Sequence, residues 1–455
     1  MPRTIDSLKG YYKEHEKELL EEFFTFLEFQ SISSESDSKQ EVLNCAEWLA
    51  AYLKKIGFDT QLWPTAGYPV IFASYLKAGP DKPTLLIYNH YDVQPVDPIE
   101  LWESPPFEPA IRGGQIYARG AQDNKGQCFY TIQALKALLK ISGTLPVNVK
   151  LCIEGEEECG SRSLSSILKT KFKELQADYL AIVDLGIPSL DKPSITLGLR
   201  GIITMDIELS GAKSDMHSGS NGGLLYNPNH ALVELLAKMR DRSGKITIPG
   251  FYDDVVSLEE GEKEQVSWDF KPEEYKAMFG VLPTGGEKDY SHLERNWVRP
   301  TLEINGLTGG YSGAGFKTVI PSKASAKISC RLVPNQSPDK IARLVKEYLE
   351  KNVPEGITVK VNIHHGGKAI RSNPDSKVVQ AFARAYEEVF HKPCQFIFEG
   401  ASIPIVTELA ETSRSEVVLL GLGLADDNIH APNEHFGLDR MEKGFLIIGK
   451  ALEEL

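Results

Sequence analysis

The sequence predicts an α/β fold with a mostly parallel sheet buried on both faces, interrupted by an inserted two-layer α+β domain, and two contrasting hydrophobic patterns predict it. Compact apolar runs (LLIYN from residue 85, VNVKLCI from 147, YLAIVDL from 179, EVVLLGL from 416) alternate with helical stretches such as GQCFYTIQALKALLK from 126. Runs without polar interruption suit strands covered on both faces, the habit of βαβ units. Between Leu199 and Gly367 the period changes to two. Ile203, Met205, Ile207 and Leu209 alternate with Thr204, Asp206 and Glu208; Ala324 to Leu332 and Ile357 to Ile363 repeat the pattern. Such strands have one wet face. Helical patterns at NPNHALVELLAKMRD (from 227) and PDKIARLVKEYLEKN (from 338) can cover the other. The expected organisation is therefore a domain of residues 1–198 and 368–455, with residues 199–367 inserted.

Taken in order, the chain opens on an amphipathic helix, with Leu20, Phe23, Phe24 and Leu27 at i, i+3, i+4 and i+7. The N-terminus shows no secretory signal, and no apolar run approaches the roughly 20 residues that span a bilayer. A cytoplasmic protein with no membrane partner is expected. Fifty basic residues against 63 acidic ones give a net charge of −13 with no basic cluster, so nucleic acid is not an expected partner. Six cysteines without a C-x-x-C pair read as buried free thiols. The acidic stretch from Glu259 to Glu264 reads as a solvated loop.

Chemistry-bearing residues collect where buried strands end, the usual ligand edge of an open α/β sheet. His90 and Asp92 follow LLIYN, Asp92 being placed to fix the tautomer of His90. Asp123 precedes the helix from residue 126, where a helix cap is the alternative role. Glu154, Glu156, Glu157 and Glu158 end a second strand, Asp184 a third, and Asp426, Asp427 and His430 follow a fourth. Singly, each has an ordinary structural explanation. Together, His90, Asp123, Glu158, Asp184 and His430 form the imidazole and carboxylate set that a dinuclear Zn²⁺ or Mn²⁺ site requires. Two glycine-rich segments, 309–318 and 421–426, lack the lysine or the third glycine of nucleotide-binding loops and read as turns or points of close backbone approach.

The ordered motifs NHYDVQPV, GAQDNKG, EGEEECGS, SDMHSGSNGG, KTVIPSKASAKISCRLVP, HHGGKAI, GASIP and DNIH resemble those of the M20 metallopeptidases, in the carnosinase-type cytosolic dipeptidase branch. The resemblance implies a dinuclear-metal catalytic domain with a lid domain that makes a homodimer. It makes Asp123 the bridge between two Zn²⁺ or Mn²⁺ ions, completed by His90 and Asp184 on one side and by Glu158 and His430 on the other. Glu157 becomes the general base acting on a metal-bridging water, and His217 an oxyanion donor from the partner subunit. Arg331 is implied to grip the substrate's C-terminal carboxylate, with Thr318, His365, Gly400 and Ser402 lining the substrate. The expected activity is hydrolysis of short peptides with a free C-terminus. The alternatives are deacylation of N-acyl amino acids and, from another class, non-catalytic binding of a metal, peptide or nucleotide. Retention of Glu157 beside a full ligand set argues against the last.

Overall fold

In the computed structural model, which describes residues 4–364 and 366–455, two units are distinguished. The first comprises the residues up to Leu197 with Ser372–Ile397 and Glu408–Leu455, the second Gly198–Arg371 with Phe398–Thr407. Across the sheet of the first unit the strands run Asp59–Trp63, Val70–Tyr75, Asn148–Glu154, Thr84–His90, Tyr179–Val183, Glu416–Leu420 and Ser194–Leu199. Every residue of Asn148–Glu154 is buried, as are all but the first of Thr84–His90, so both faces are covered.

The sheet is mixed, which corrects the expectation of a mostly parallel one. Its central four strands are parallel, whereas Asp59–Trp63, Val70–Tyr75 and Ser194–Leu199 pair antiparallel. For Asp59–Trp63 and Val70–Tyr75 the physical reason lies in the connection: residues 64–69 are too short for the crossover that parallel pairing needs. The parallel centre brings the C-terminal ends of four strands to one edge, with His90 level with Glu154 and Val183 level with Leu420.

Helices Thr4–Glu28, Lys125–Ser142, Lys377–Phe390 and Leu438–Glu454 pack on one another, and the middle two rest on Thr84–His90 and Glu416–Leu420. The opening helix buries Phe23, Phe26 and Leu27. Its C-terminal end is held by the fully buried Lys125, whose Nζ donates to the carbonyls of Phe26 (3.0 Å) and Phe29 (2.7 Å), a cation where the helix dipole is negative. Gly421 lies so near the opposite chain that a Cβ there would sit 1.9 Å from the Leu185 carbonyl oxygen. Close backbone approach, one of the two roles expected for segment 421–426, accounts for that glycine.

The second unit is built on an antiparallel sheet ordered Thr301–Gly309, Lys323–Leu332, Gly201–Ser210, Thr358–Ile363. Helices Pro228–Lys238 and Pro338–Asn352 bury one face with Ile203, Met205, Ile207, Leu209, Ile328 and Cys330. The other face is wet and charged: Lys323 pairs with Glu208 (3.0 Å) and His364 with Asp206 (2.8 Å). The stretch from Glu259 forms a short helix, Glu260–Glu264, rather than the expected loop, because Glu262 reaches back to accept from the Glu259 N–H (2.8 Å). Of the cysteines, Cys45, Cys128, Cys152 and Cys330 are buried free thiols, Cys394 is half-buried and Cys159 is exposed, which corrects the expectation for these last two. Among the described residues no helix is long and apolar enough to cross a membrane.

Lys125→Met should leave the Phe26 and Phe29 carbonyls without their donor. A loss of about 1–3 kcal/mol, read as a lower urea midpoint at unchanged slope, is the expected outcome; an unchanged midpoint would show that the helix end is held by packing alone.

Candidate metal centre

His90 closes the strand Thr84–His90 and is fully buried. Its Nε2 lies 3.1 Å from Asp123 Oδ1 and 3.6 Å from Asp184 Oδ1. On the other side of the same carboxylate, His430 Nε2 lies 2.9 Å from Asp123 Oδ2 and 3.3 Å from Glu158 Oε2. One carboxylate therefore presents each of its oxygens to a different imidazole. His90, Asp123 and Asp184 offer ligand atoms all within 4.8 Å of one another, and so do Asp123, Glu158 and His430. Asp123 is not a helix cap: the helix Lys125–Ser142 begins after Asn124, which bonds elsewhere.

Each ligand is braced from behind. Asp92 accepts from Ser33 Oγ (2.6 Å) and from the backbone N–H groups of Glu157 (3.2 Å) and Glu158 (3.1 Å), while its own carbonyl meets His90 Nδ1 at 3.1 Å. One residue thereby fixes the histidine's ring and seats the turn Glu157–Cys159 that carries two glutamates. Asn124 donates to Asp184 Oδ1 (2.6 Å) and to the Val183 carbonyl (2.8 Å), and accepts from Asn89 (2.7 Å). Gln94 donates to Glu158 Oε2 at 2.8 Å.

The Asp123 loop is held by a residue the sequence reading passed over. The buried Glu434 carboxylate accepts from Arg119 (2.8 Å) and from the N–H groups of Gly120 (2.8 Å), Gln122 (2.9 Å) and Asp123 (3.0 Å). It reaches them because His435–Gly437 pairs antiparallel with Gln115–Tyr117. Nothing local in APNEHF signals this; only the distant pairing does. The neighbouring loop is anchored by Asp427, bonded through both oxygens to Arg440 (2.5 and 2.6 Å), and it presents His430 half-exposed in the left-handed backbone region (φ 59°).

Charge is concentrated here. Burial pushes Glu157 well above the usual carboxylate range, and Asp184, Glu158 and Asp123 add to this against the pull of His90. Burial and Asp123 raise Glu158 to about 7, and burial raises Asp184. Hydrogen bonds to Asp123 and Glu158 lift His430 to about 10. Burial alone would depress His90, but Asp184 and Asp123 outweigh it and hold the imidazole well above its ordinary value. Glu158 Oε1 is buried without a hydrogen-bond partner among the described residues. Two imidazoles, three carboxylates and an orphaned buried oxygen fit divalent cations of borderline hardness.

Of the glutamates in EGEEECGS, only Glu158 joins a ligand group. Glu154 is turned to Tyr88 (2.6 Å) and Ser161 (2.8 Å), and burial raises it to about 8. The other named residues fall in the second unit: His217, Thr318, Arg331, Gly400 and Ser402. There His217 Nε2 lies 3.5 Å from Thr318 Oγ1, and Ser402 Oγ is buried without a hydrogen-bond partner among the described residues. His365 lies outside the described residues.

The profile of peptidase family M20/M25/M40 matches residues 86–454. The Cys-Gly metallodipeptidase dug1 of Schizosaccharomyces pombe is 30% identical, over 100% of this chain and 99% of its own. Human Beta-Ala-His dipeptidase is 32% identical over 95% of this chain and 89% of its own. Among solved structures, an M20 family metallo-carboxypeptidase, Sso-CP2 of Sulfolobus solfataricus, superposes with a TM-score of 0.88 at 35% identity, covering 96% of this chain and 98% of that one.

Glu434→Gln places an amide N–H₂ against backbone donors that need an acceptor. The expected result is metal affinity weakened by about 10- to 100-fold, read by competition with a chromophoric chelator while the far-UV spectrum stays native. Unchanged affinity would show that the Asp123 loop holds its shape without this brace.

Proposed function

Because the chain belongs to peptidase family M20/M25/M40, we propose that it is a metal-dependent dipeptidase acting on short peptides with a free C-terminal carboxylate. The observation that carries this reading is the position of Asp123 between His90 and His430, with Asp184 and Glu158 completing the two groups. His90, Asp123 and Asp184 would hold one Zn²⁺ or Mn²⁺ ion and Asp123, Glu158 and His430 a second. Such a pair supplies Lewis acidity and water of lowered pKa. Glu157 takes the proton of the attacking water and passes it to the leaving amine. Burial raises its carboxyl above the usual carboxylate range, the direction that favours a group which accepts a proton and hands it on. Asp92 acts through His90 and the Glu157 turn, holding both in register.

His217 Nδ1 accepts from the Gly219 N–H (3.0 Å), which leaves Nε2 as the protonated nitrogen, the donor a developing oxyanion needs. Arg331, half-buried on its strand, offers a planar fork to a carboxylate. Thr318, Gly400 and Ser402 would line the same substrate. The names of the relatives, Cys-Gly metallodipeptidase and Beta-Ala-His dipeptidase, support dipeptides over N-acyl amino acids.

We further propose a homodimer formed through the second unit, with His217 serving the partner's site. Thr301–Gly309 is an edge strand of its sheet, and Ile304 and Leu307 on it are 47% and 57% exposed. An apolar edge of this kind calls for a covering partner.

Chelation should abolish hydrolysis of Cys-Gly and β-Ala-His, and Zn²⁺ or Mn²⁺ should restore it, while N-acetyl amino acids are left intact throughout. Full activity in protein shown by elemental analysis to be metal-free would overturn the proposal. Glu157→Gln should keep both ions and lose turnover by a factor on the order of 10²–10⁴; a variant retaining most of its kcat would remove Glu157 as the base.

Co-expressed Glu157→Gln and His217→Ala chains, isolated as mixed dimers by two tags, test the assembly. Trans action leaves one intact site per dimer and returns about half the wild-type activity. Cis action leaves every site damaged and returns none.

A further inference from the structure

Arg200 is 8% exposed, yet among the described residues its guanidinium bonds neutral oxygens. Nε donates to the Gly400 carbonyl (2.9 Å), one terminal nitrogen to the Arg299 carbonyl (3.3 Å) and the other to Asn296 Oδ1 (3.3 Å). Its backbone N–H donates to the Ala401 carbonyl at 3.1 Å. All of these residues belong to the second unit. Buried guanidinium groups ordinarily take a carboxylate partner, because an uncompensated buried charge is expensive.

The acid at hand, Glu399, is engaged elsewhere: its Oε1 accepts from the N–H groups of Gly400 (2.7 Å) and Ala401 (3.3 Å). The turn itself admits no side chain at Gly400, where a Cβ would lie 2.2 Å from Asn296 Oδ1. Arg331 is the neighbouring cation. Burial first, and the Arg331 charge second, push Arg200 down to about 10 against the opposing pull of Glu399 and Glu303.

We propose that Arg200 is the positioning residue of the substrate-carboxylate end: its fork fixes the Gly400–Ser402 turn, and its charge, close to Arg331 and hydrogen-bonded to no carboxylate among the described residues, makes that end attractive to one more anion. The proposal rests on the dipeptidase reading and adds to it a residue that shapes specificity without touching the substrate. A lysine keeps the charge but cannot span three acceptors set around a planar fork.

The test measures KM and kcat for Ala-Gly and for its C-terminal amide in Arg200→Gln, Arg200→Lys, Arg331→Met and the double variants with Arg331→Met. Arg200→Gln should raise KM for the free acid by about tenfold or more, with kcat within about twofold of wild type and little change for the amide. Arg200→Lys should fall between wild type and glutamine. In the Arg331→Met background most of the effect should vanish, since the two guanidinium groups act on one carboxylate. Equal losses on acid and amide, or strict additivity with Arg331→Met, would overturn the proposal; should Arg200→Gln fail to fold, the same comparison in Arg200→Lys decides. Wild-type protein that cleaves no dipeptide overturns the dipeptidase reading instead, whereas an acid preference that depends on Arg331 and ignores Arg200 overturns this inference alone.

Discussion

Asp123, Glu157, Glu158 and Asp184 crowd one edge of one sheet around His90 and His430, and that crowding of like charge is the constraint the surrounding structure answers. Burial raises Glu157, Glu158 and Asp184 above the usual carboxylate range, and the repulsion between carboxylates this close adds to it. Loops free to move would spread apart. Instead, each loop is tied to the body of the unit by donors directed at its backbone or its side chains. Asp92 holds the glutamate turn, Asn124 holds Asp184, Glu434 with Arg119 holds the Asp123 loop, and Asp427 with Arg440 holds the loop of His430. These bracing residues are themselves buried, where a satisfied polar network is rigid and a broken one is severely penalised. The fold's own hydrogen bonds thus hold the two groups of side chains together.

What a sequence reveals about such an arrangement depends on how local the cause is. Period two in Gly201–Ser210 and Lys323–Leu332 is visible because one face of that sheet is wet, so every second residue is polar. The residues at the ends of apolar runs, His90 and Asp184 among them, are visible because strand termini are where buried sequence gives way to polar sequence. Strand direction is not: Val70–Tyr75 is as apolar as its parallel-paired neighbours, and only the short connection before it dictates antiparallel pairing. The helix Glu260–Glu264 is hidden for another reason, since its acidic residues resemble a solvated run unless the reach of Glu262 back to Glu259 is considered. Glu434 and Arg200 are the least legible, because their partners lie hundreds of residues away in sequence or are backbone atoms that no side-chain pattern announces.

The distance in sequence between Glu434 and the groups it braces has a further bearing, on how the chain folds. Its acceptor oxygens meet donors 311 to 315 residues earlier, with nearly all of the second unit lying between. Contacts of such separation are the slowest to form, because a long loop has to close before anything is gained. His90, Asp123 and Asp184 come into the sheet with its early strands, but the backbone around Asp123 has no acceptor for its N–H groups until His435–Gly437 docks on Gln115–Tyr117. The hydrogen bonds that hold the Asp123 loop therefore depend on the docking of a strand from the far end of the sequence. A molecule folded everywhere except there would keep its sheet and most of its core while lacking both His430 and the brace on Asp123.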